Sequence, residues 1–316
     1  MSSFVWKSEH ALERLLLKRD NPQAHPEIRI GLLIPGGAFQ VAASVGITTA
    51  LAVRGLHRAL DVVLGVSAGA LAGAWMLSPQ TLLRGLMALP SEEAQKTIRV
   101  KFRPTGIKLK VDVDRFLALL RSPTLGIDPE GIRRAHPEFY VGAICLRVGK
   151  FRLINAKTAE PDMETAIVAS CAVPGFVDPV FVNGEEYLDG FTDPLPVRRF
   201  VEQFGLTDLL IIGNRNPMEP YEEPPVLRRA YRKLPKQIQR AMQVRQRRWK
   251  RGEEYLRSQV AEGALHATVL WSRTPLPPFP MLKELEPAIK RVFQEMLVVL
   301  QSKLGRVRDD IVADGS

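Results

Sequence analysis

The sequence is short of cysteine. Of its 316 residues only Cys145 and Cys171 carry a thiol, and they form no CxxC pair. That excludes a disulfide framework and argues against a zinc site built on cysteines; both are expected to be inert thiols. No run approaches the ~20 apolar residues that a membrane-spanning helix needs. Near the amino terminus the short Leu15-Leu16-Leu17 run is hemmed in by Lys7, Glu9, Glu13, Arg14, Lys18, Arg19 and Asp20. A secretory leader needs a longer uncharged core and a small-residue cleavage site. The expected address is therefore cytoplasmic, with peripheral attachment to the inner face of a membrane left open. Histidine is scarce as well: His10, His25, His57, His136 and His266 are the whole supply.

The remaining composition is that of a globular chain, with 46% hydrophobic and 25% charged residues. The length suits one large domain or two ordinary ones, and a core of that size needs no covalent staple. The formal charge of +10 is unevenly spread. Residues 226–251 hold eleven Lys/Arg and no Asp or Glu: Arg228, Arg229, Arg232, Lys233, Lys236, Arg240, Arg245, Arg247, Arg248, Lys250 and Arg251. Outside that window 33 basic residues face 34 acidic ones, so the basic character belongs to one segment. Leu227, Tyr231, Leu234, Ile238, Met242 and Trp249 recur there at near-helical steps, with Pro235 breaking the run. A short helix followed by a longer one over about 236–260 is expected. Cations on one face and large apolar groups on the other suit contact with an anionic membrane surface. No motif that reads DNA or RNA accompanies the charge, and no nucleic-acid partner is expected.

Along the chain, 28–34 reads as a buried strand, Pro35-Gly36-Gly37 as a loop and 39–53 as a helix. A second strand over 61–66 leads through Ser67 into a small-residue helix over 68–77. This alternation opens a parallel α/β sheet. The stretch 81–135 reads as mostly helical. Strands are expected at 138–146, 150–155, 207–213 and 264–271, with helices over 162–172 and 283–303. Between Val177 and Leu188 a hairpin should turn on Asn183-Gly184.

Gly65-Val66-Ser67-Ala68-Gly69 fits G-x-S-x-G, the nucleophile elbow. A serine on a tight strand-to-helix turn is pushed out of the sheet, and flanking glycines let neighbouring backbone close in. The following helix aims its positive end at a developing oxyanion. The hydroxyl needs a base. Of the histidines only His136 and His266 follow Ser67, and His266 lies in an expected strand. Asp189, in Leu188-Asp189-Gly190, is the carboxylate alternative; read alone, Asp-Gly is a turn pair. Gly36-Gly37 is too short for a dinucleotide fingerprint and no Walker-A sequence occurs, so no cofactor is expected and no metal site is read.

Three of these segments in this order resemble the patatin-like phospholipase family. They are Pro35-Gly36-Gly37-Ala38 after the first strand, GVSAGAL at 65–71 after the second, and LDG at 188–190. ASCAVPGFVDPV at 169–180 and PLPV at 194–197 are similar to the segments bracketing the family's aspartate. The resemblance spans roughly 28–215. It implies a three-layer α/β/α fold with a mainly parallel sheet and a catalytic domain over 28–215; an N-terminal helical arm over 1–27 and a basic helical extension over 216–316, packing on the catalytic domain, are expected beside it. It further implies a serine esterase or lipid acyl hydrolase of the phospholipase A or lysophospholipase kind, acting on acyl esters or phospholipids through an acyl-enzyme. Ser67 would be the nucleophile and Asp189 its base, with the backbone of Gly36, Gly37 and Ala38 as oxyanion hole and Gly65 and Gly69 shaping the elbow. The family loop usually reads G-G-G-x-R-G. One alignment puts Ala38 at the third glycine and Gln40 at the arginine; a shifted one puts Pro35 at the first glycine and Phe39 at the arginine. Phe191 stands where a small residue is usual. A catalytically impaired lipid-binding protein is therefore the alternative.

Overall fold

The structure, a computed structural model, describes residues 10–21, 25–37, 40–78, 84–103, 106–213, 232, 234–272 and 282–314. Its frame is an eight-stranded sheet. The strands are β1 (Ile30–Ile34), β2 (Val62–Val66), β5 (Glu138–Cys145), β6 (Lys150–Asn155), β7 (Val180–Val182), β8 (Glu185–Asp189), β9 (Asp208–Gly213) and β10 (His266–Trp271). β3 (Ile98–Arg103) and β4 (Gly106–Val111) form a separate hairpin. The main order is β10-β9-β1-β2-β5-β8-β7, with β6 also pairing β5. The first five strands of that order run parallel; β8 and β6 pair β5 antiparallel.

The parallel strands are apolar on both sides, as strands covered on both faces must be. Ile30, Leu32 and Ile34 of β1 join one core, shared with helices α2 (Val41–Val53), α3 (Ala68–Leu77) and α8 (Met163–Ser170). Leu33, with Val62, Leu64, Leu209 and Ile211, joins a second core against α9 (Val197–Phe204) and Leu256. Two cores on opposite faces of one sheet make the three layers expected.

Most elements fall where the pattern placed them, and the differences have physical reasons. Strand β10 pairs β9 along its whole length, from His266↔Asp208 to Trp271↔Gly213. A last helix, running Leu282–Asp314, packs on α2, where a Cβ on Gly46 would lie 2.9 Å from the Ile289 carbonyl oxygen. The segment after 215 thus packs on the 28–215 region, adding β10 to the sheet edge and a helix against α2. The amino-terminal helix α1 (His10–Asp20) lies in the expected arm and buries Leu12, Leu15 and Leu16. Within 81–135 the chain forms short helices α4 (Arg84–Ala88), α5 (Glu92–Lys96), α6 (Val113–Leu120) and α7 (Pro129–Arg134), but also the β3–β4 hairpin where helix was expected. Strict alternation of apolar and basic residues over 98–103 and 107–111 is the period of a strand.

Candidate active site

The elbow is built by close backbone approach. Ser67 follows the last residue of β2 and has φ 55° and ψ −134°. Among the described residues only Ser67 and Asn183 carry positive φ without being glycine. Asn183 sits in the expected hairpin turn; Ser67 holds its strain of about 1–3 kcal/mol at the strand-to-helix corner. A Cβ at Gly65 would stand 2.4 Å from the Ala70 Cα, and one at Gly69 only 2.1 Å from the Ile34 carbonyl oxygen. Only glycine fits either place. The loop after β1 closes on the same point, because a Cβ on Gly36 would lie 2.7 Å from Ser67 Cβ and 3.4 Å from its Oγ. The Gly37 carbonyl accepts the Gln40 N–H at 3.0 Å, which starts the turn into α2. Ala38, the third residue expected in the oxyanion loop, lies outside the described residues.

Sheet register brings the carboxylate to the serine. Val66 is level with Gly142 of β5, and Asp189, the last residue of β8, is level with Ala143. Ser67 and Asp189 thus approach from opposite directions, one strand apart. Neighbouring strands lie ~4.8 Å apart, so two side chains must reach across β5. Its residues at that level are Gly142 and Ala143, small enough to pass beneath them. Ser67 Oγ donates to Asp189 Oδ2 at 2.6 Å, and the Phe191 N–H donates to Oδ1 at 2.9 Å. Asp189 is 0% exposed. Burial pushes its carboxyl up to about 7, against the opposing pull of the Ser67 hydroxyl, the Phe191 N–H and the nearby Arg245 guanidinium. A buried carboxylate near neutrality, bonded to a hydroxyl on a strained turn, can accept that hydroxyl's proton.

Two contributions escaped the sequence reading. Ser170, at the end of α8, is fully buried; its hydroxyl donates to the Gly142 carbonyl at 2.7 Å and accepts the Ser67 N–H at 2.9 Å. It pins the backbone of the nucleophile to β5. A serine at a helix end carries no local signal of this; the only hint was its place in ASCAVPG. The second is the inward turn of two arginines. The basic window forms α10 (Lys236–Gln243) and α11 (Arg245–Ala261). The Arg245 guanidinium lies 5.9 Å from the centre of the Phe191 ring, and Arg248 donates to the Thr192 carbonyl at 3.0 Å. A Cβ on Gly252 would lie 2.6 Å from the Leu195 carbonyl oxygen, so α11 presses on the segment that follows Asp189.

The basic face expected for 226–251 therefore splits. Arg232, Lys236, Arg240, Arg247, Lys250 and Arg251 are exposed; Arg245 and Arg248 are half-buried against the aspartate segment and leave that face. Arg228, Arg229 and Lys233 lie outside the described residues. Neither histidine reaches the serine. His266 opens β10 and is level with Asp208, the first residue of β9, and His136 precedes β5. Both lie at the amino ends of strands parallel to β2, the opposite edge of the sheet from Ser67. The Cys171 thiol is raised by burial and by the Asp189 charge, and stays protonated. Among the described residues no helix is long and apolar enough to cross a membrane.

The structure thus brings a serine of positive φ against a fully buried aspartate at the carboxyl edge of a three-layer α/β sheet. A profile of the patatin-like phospholipase family matches residues 32–201, more than half of the chain. The chain belongs to that family, one of lipid acyl hydrolases. Among solved structures, the chain matches the crystal structure of VipD from Legionella pneumophila at 14% sequence identity and a TM-score of 0.37, covering 88% of this chain and 67% of that one. No curated protein sequence matches significantly.

Proposed function

We propose that the protein is a carboxylic ester hydrolase acting on acyl esters of lipids, phospholipids or lysophospholipids among them, through Ser67 and Asp189. The observation that carries this reading is the 2.6 Å hydrogen bond from Ser67 Oγ to Asp189 Oδ2 at the elbow. Ser67 Oγ attacks the acyl carbonyl carbon while its proton passes to the Asp189 carboxylate. The tetrahedral oxyanion is held by backbone N–H groups of the 36–38 loop and the start of α3. Collapse expels the alcohol, which takes the proton from Asp189 and leaves the acyl group on Ser67. Water then attacks the acyl-enzyme, passes a proton to Asp189, and the fatty acid departs as Ser67 recovers its proton. An alkoxide leaves more readily than an amine, so esters suit a carboxylate base better than amides. The exposed cations of α10 and α11 bring the protein to the anionic inner face of a membrane.

Fluorophosphonate labelling of the purified protein, run beside hydrolysis of a short-chain acyl ester, tests this. Wild type should label and turn over, and Ser67→Ala should lose both, with turnover down about 10⁴-fold or more. A folded wild type that neither labels nor turns over would overthrow the reading in favour of a lipid-binding protein with an impaired oxyanion loop. That alternative rests on a loop lacking the family's arginine, with Gln40 or Phe39 in its place, and one of its glycines, with Ala38 or Pro35 in its place.

A further inference from the structure

Ser170 stands where a rung of the sheet is missing. In a parallel ladder the N–H of one residue donates to the C=O of the residue before its level partner. Val66 is level with Gly142, so the next rung from β2 would run from the Ser67 N–H to the Gly142 carbonyl. Those are the two groups that the Ser170 hydroxyl joins. It accepts from the first at 2.9 Å and donates to the second at 2.7 Å. Two hydrogen bonds through one oxygen span further than a direct one. β2 therefore parts from β5 at this residue with both backbone groups still paired. Ser67 is also the residue whose φ of 55° turns the chain out of the strand. Without the hydroxyl the direct rung is open to the chain. Closing it would draw Ser67 back toward the extended conformation and its Oγ away from Asp189.

The same segment holds the aspartate. Two residues on from Ser170, the Ala172 carbonyl accepts the Asp189 N–H at 3.0 Å. Gly190 then lies against Gly142: a Cβ on it would stand 2.4 Å from the carbonyl oxygen that Ser170 engages. Residues 170–172, at the end of α8, thus hold the backbone of both Ser67 and Asp189.

We infer that Ser170 is a positioning residue for the reaction: its hydroxyl, inserted between β2 and β5, holds Ser67 in the turn that aims Oγ at Asp189. The inference rests on the proposed Ser67–Asp189 chemistry and adds to it a third side chain, one that acts through Ser67 rather than on substrate. Ser78, at the other end of α3, supplies the contrast. It is as fully buried, donates to the Ala74 carbonyl at 2.8 Å and accepts the Asp128 N–H at 3.0 Å. It joins the same kinds of groups about 15 Å from the elbow, the length of the ten-residue helix between them.

Full-length Ser170→Ala, Ser170→Thr and Ser78→Ala are compared with wild type in short-ester kinetics, fluorophosphonate labelling rate and thermal melts. Ser170→Ala and Ser78→Ala should lower the melting temperature to a similar extent. Only Ser170→Ala should lose turnover. Its kcat per folded molecule and its labelling rate should fall about 100-fold, as for a misplacement of about 1 Å, while KM stays within about twofold. Ser170→Thr keeps a hydroxyl and should restore most of the kcat, even where its extra methyl lowers the melting temperature. If Ser170→Ala does not fold, Ser170→Cys takes its place, since a thiol has a similar shape but is a weak donor and acceptor; kcat should then fall about tenfold or more. A crystal structure of Ser170→Ala, or of Ser170→Cys in its place, gives a readout that needs no turnover. Ser67 should leave positive φ, or its Oγ should stand beyond hydrogen-bond reach of Asp189. The inference is overturned if Ser170→Ala turns over as wild type does, if Ser78→Ala loses as much kcat, or if folded Ser170→Thr recovers nothing. It is equally overturned if the crystal structure keeps Ser67 and its bond to Asp189 as they are. Failure of the hydrolase reading would look different: wild type turns over no ester, while the crystal structures still decide whether Ser170 holds the Ser67 turn.

Discussion

Buried aspartates at the two ends of the sheet have opposite surroundings. At the amino ends of the strands, Asp208 is 0% exposed and faces Arg14 at 2.8 Å, an ion pair whose angle falls short of a hydrogen bond. Thr207 Oγ1 donates to its other oxygen at 2.6 Å. Nearby, Lys18 Nζ meets Asp61 Oδ2 at 2.6 Å and also donates to the Ile28 carbonyl, while the Ile30 N–H donates to Asp61. Both cations come from α1, which docks by pairing with two carboxylates at the amino ends of the strands, Asp208 buried and Asp61 half-buried. At the carboxyl end Asp189 is just as buried, yet among the described residues it receives a hydroxyl and one N–H in contact and no cation. Its nearest influential cation, Arg245, acts from a distance. The same side chain at the same burial is a structural anchor where a cation touches it, and is held near 7, as the proposed base, where none of the described cations does. Bringing an arginine into contact with Asp189 would stabilise the carboxylate so well that it would no longer take a proton from Ser67.

The comparison is broken most severely by exchanging the two roles. Asp189→Asn should lower turnover of a short-chain ester about 10³-fold or more, because the amide cannot accept the Ser67 proton. The same substitution should raise stability above neutral pH. In the folded protein the carboxyl titrates at about 7, well above its ordinary value of 3.8. The folded state therefore holds an extra proton between those two values, and the native advantage is lost as pH rises through about 7. Thermal melts should show Asp189→Asn gaining on wild type between pH 5 and pH 8, by on the order of 3 kcal/mol. A variant that gains nothing with pH would mean that the carboxyl is not held near neutrality. Lys18→Met should do the reverse at the other end. Removing one partner of a part-buried ion pair costs about 1–3 kcal/mol, read by urea unfolding, while turnover per folded molecule stays put. A loss of turnover at constant stability would mean that the amino end is not merely structural.

These two ends were not equally legible in the sequence. The strand–loop–helix order, the elbow and the Asp-Gly segment are local patterns, and each lies where its pattern put it. The glycines announced the corner because only they admit Ile34 and Ala70 so close. The 189 side chain became meaningful only through order and resemblance, since its partner is 122 residues away and the register of β5 joins them. Ser170 and the pairing of α1 with Asp61 and Asp208 are contacts across the fold, and no local pattern announces them. The hairpin was legible and was misread: Arg99, Lys101 and Arg103 alternate with Ile98, Val100 and Phe102, a period of two inside a stretch otherwise helical. Charge density also misled. Eleven cations in one window say nothing about which of them turn inward, and helix α11 sends Arg245 and Arg248 to the aspartate segment while Arg247, Lys250 and Arg251 stay exposed.

That inward turn gives the smallest and sharpest of the expected effects. If Asp189 is the base, kcat/KM for a short-chain ester must rise with pH as the carboxyl loses its proton, with a midpoint near 7. The Arg245 guanidinium favours the charged form, so Arg245→Gln should carry the midpoint upward, by roughly half a pH unit to one pH unit given how far the group is exposed to solvent. Turnover on the alkaline plateau should change little. Arg247→Gln, two residues along and exposed, should leave the profile where it was. Arg245→Lys keeps a positive charge and should restore most of the wild-type midpoint. A uniform loss at every pH in Arg245→Gln would instead mean that the arginine only braces Phe191. The aspartate's basicity would then be set by burial and its two hydrogen bonds alone, and the basic helix would contribute to the site by packing rather than by charge.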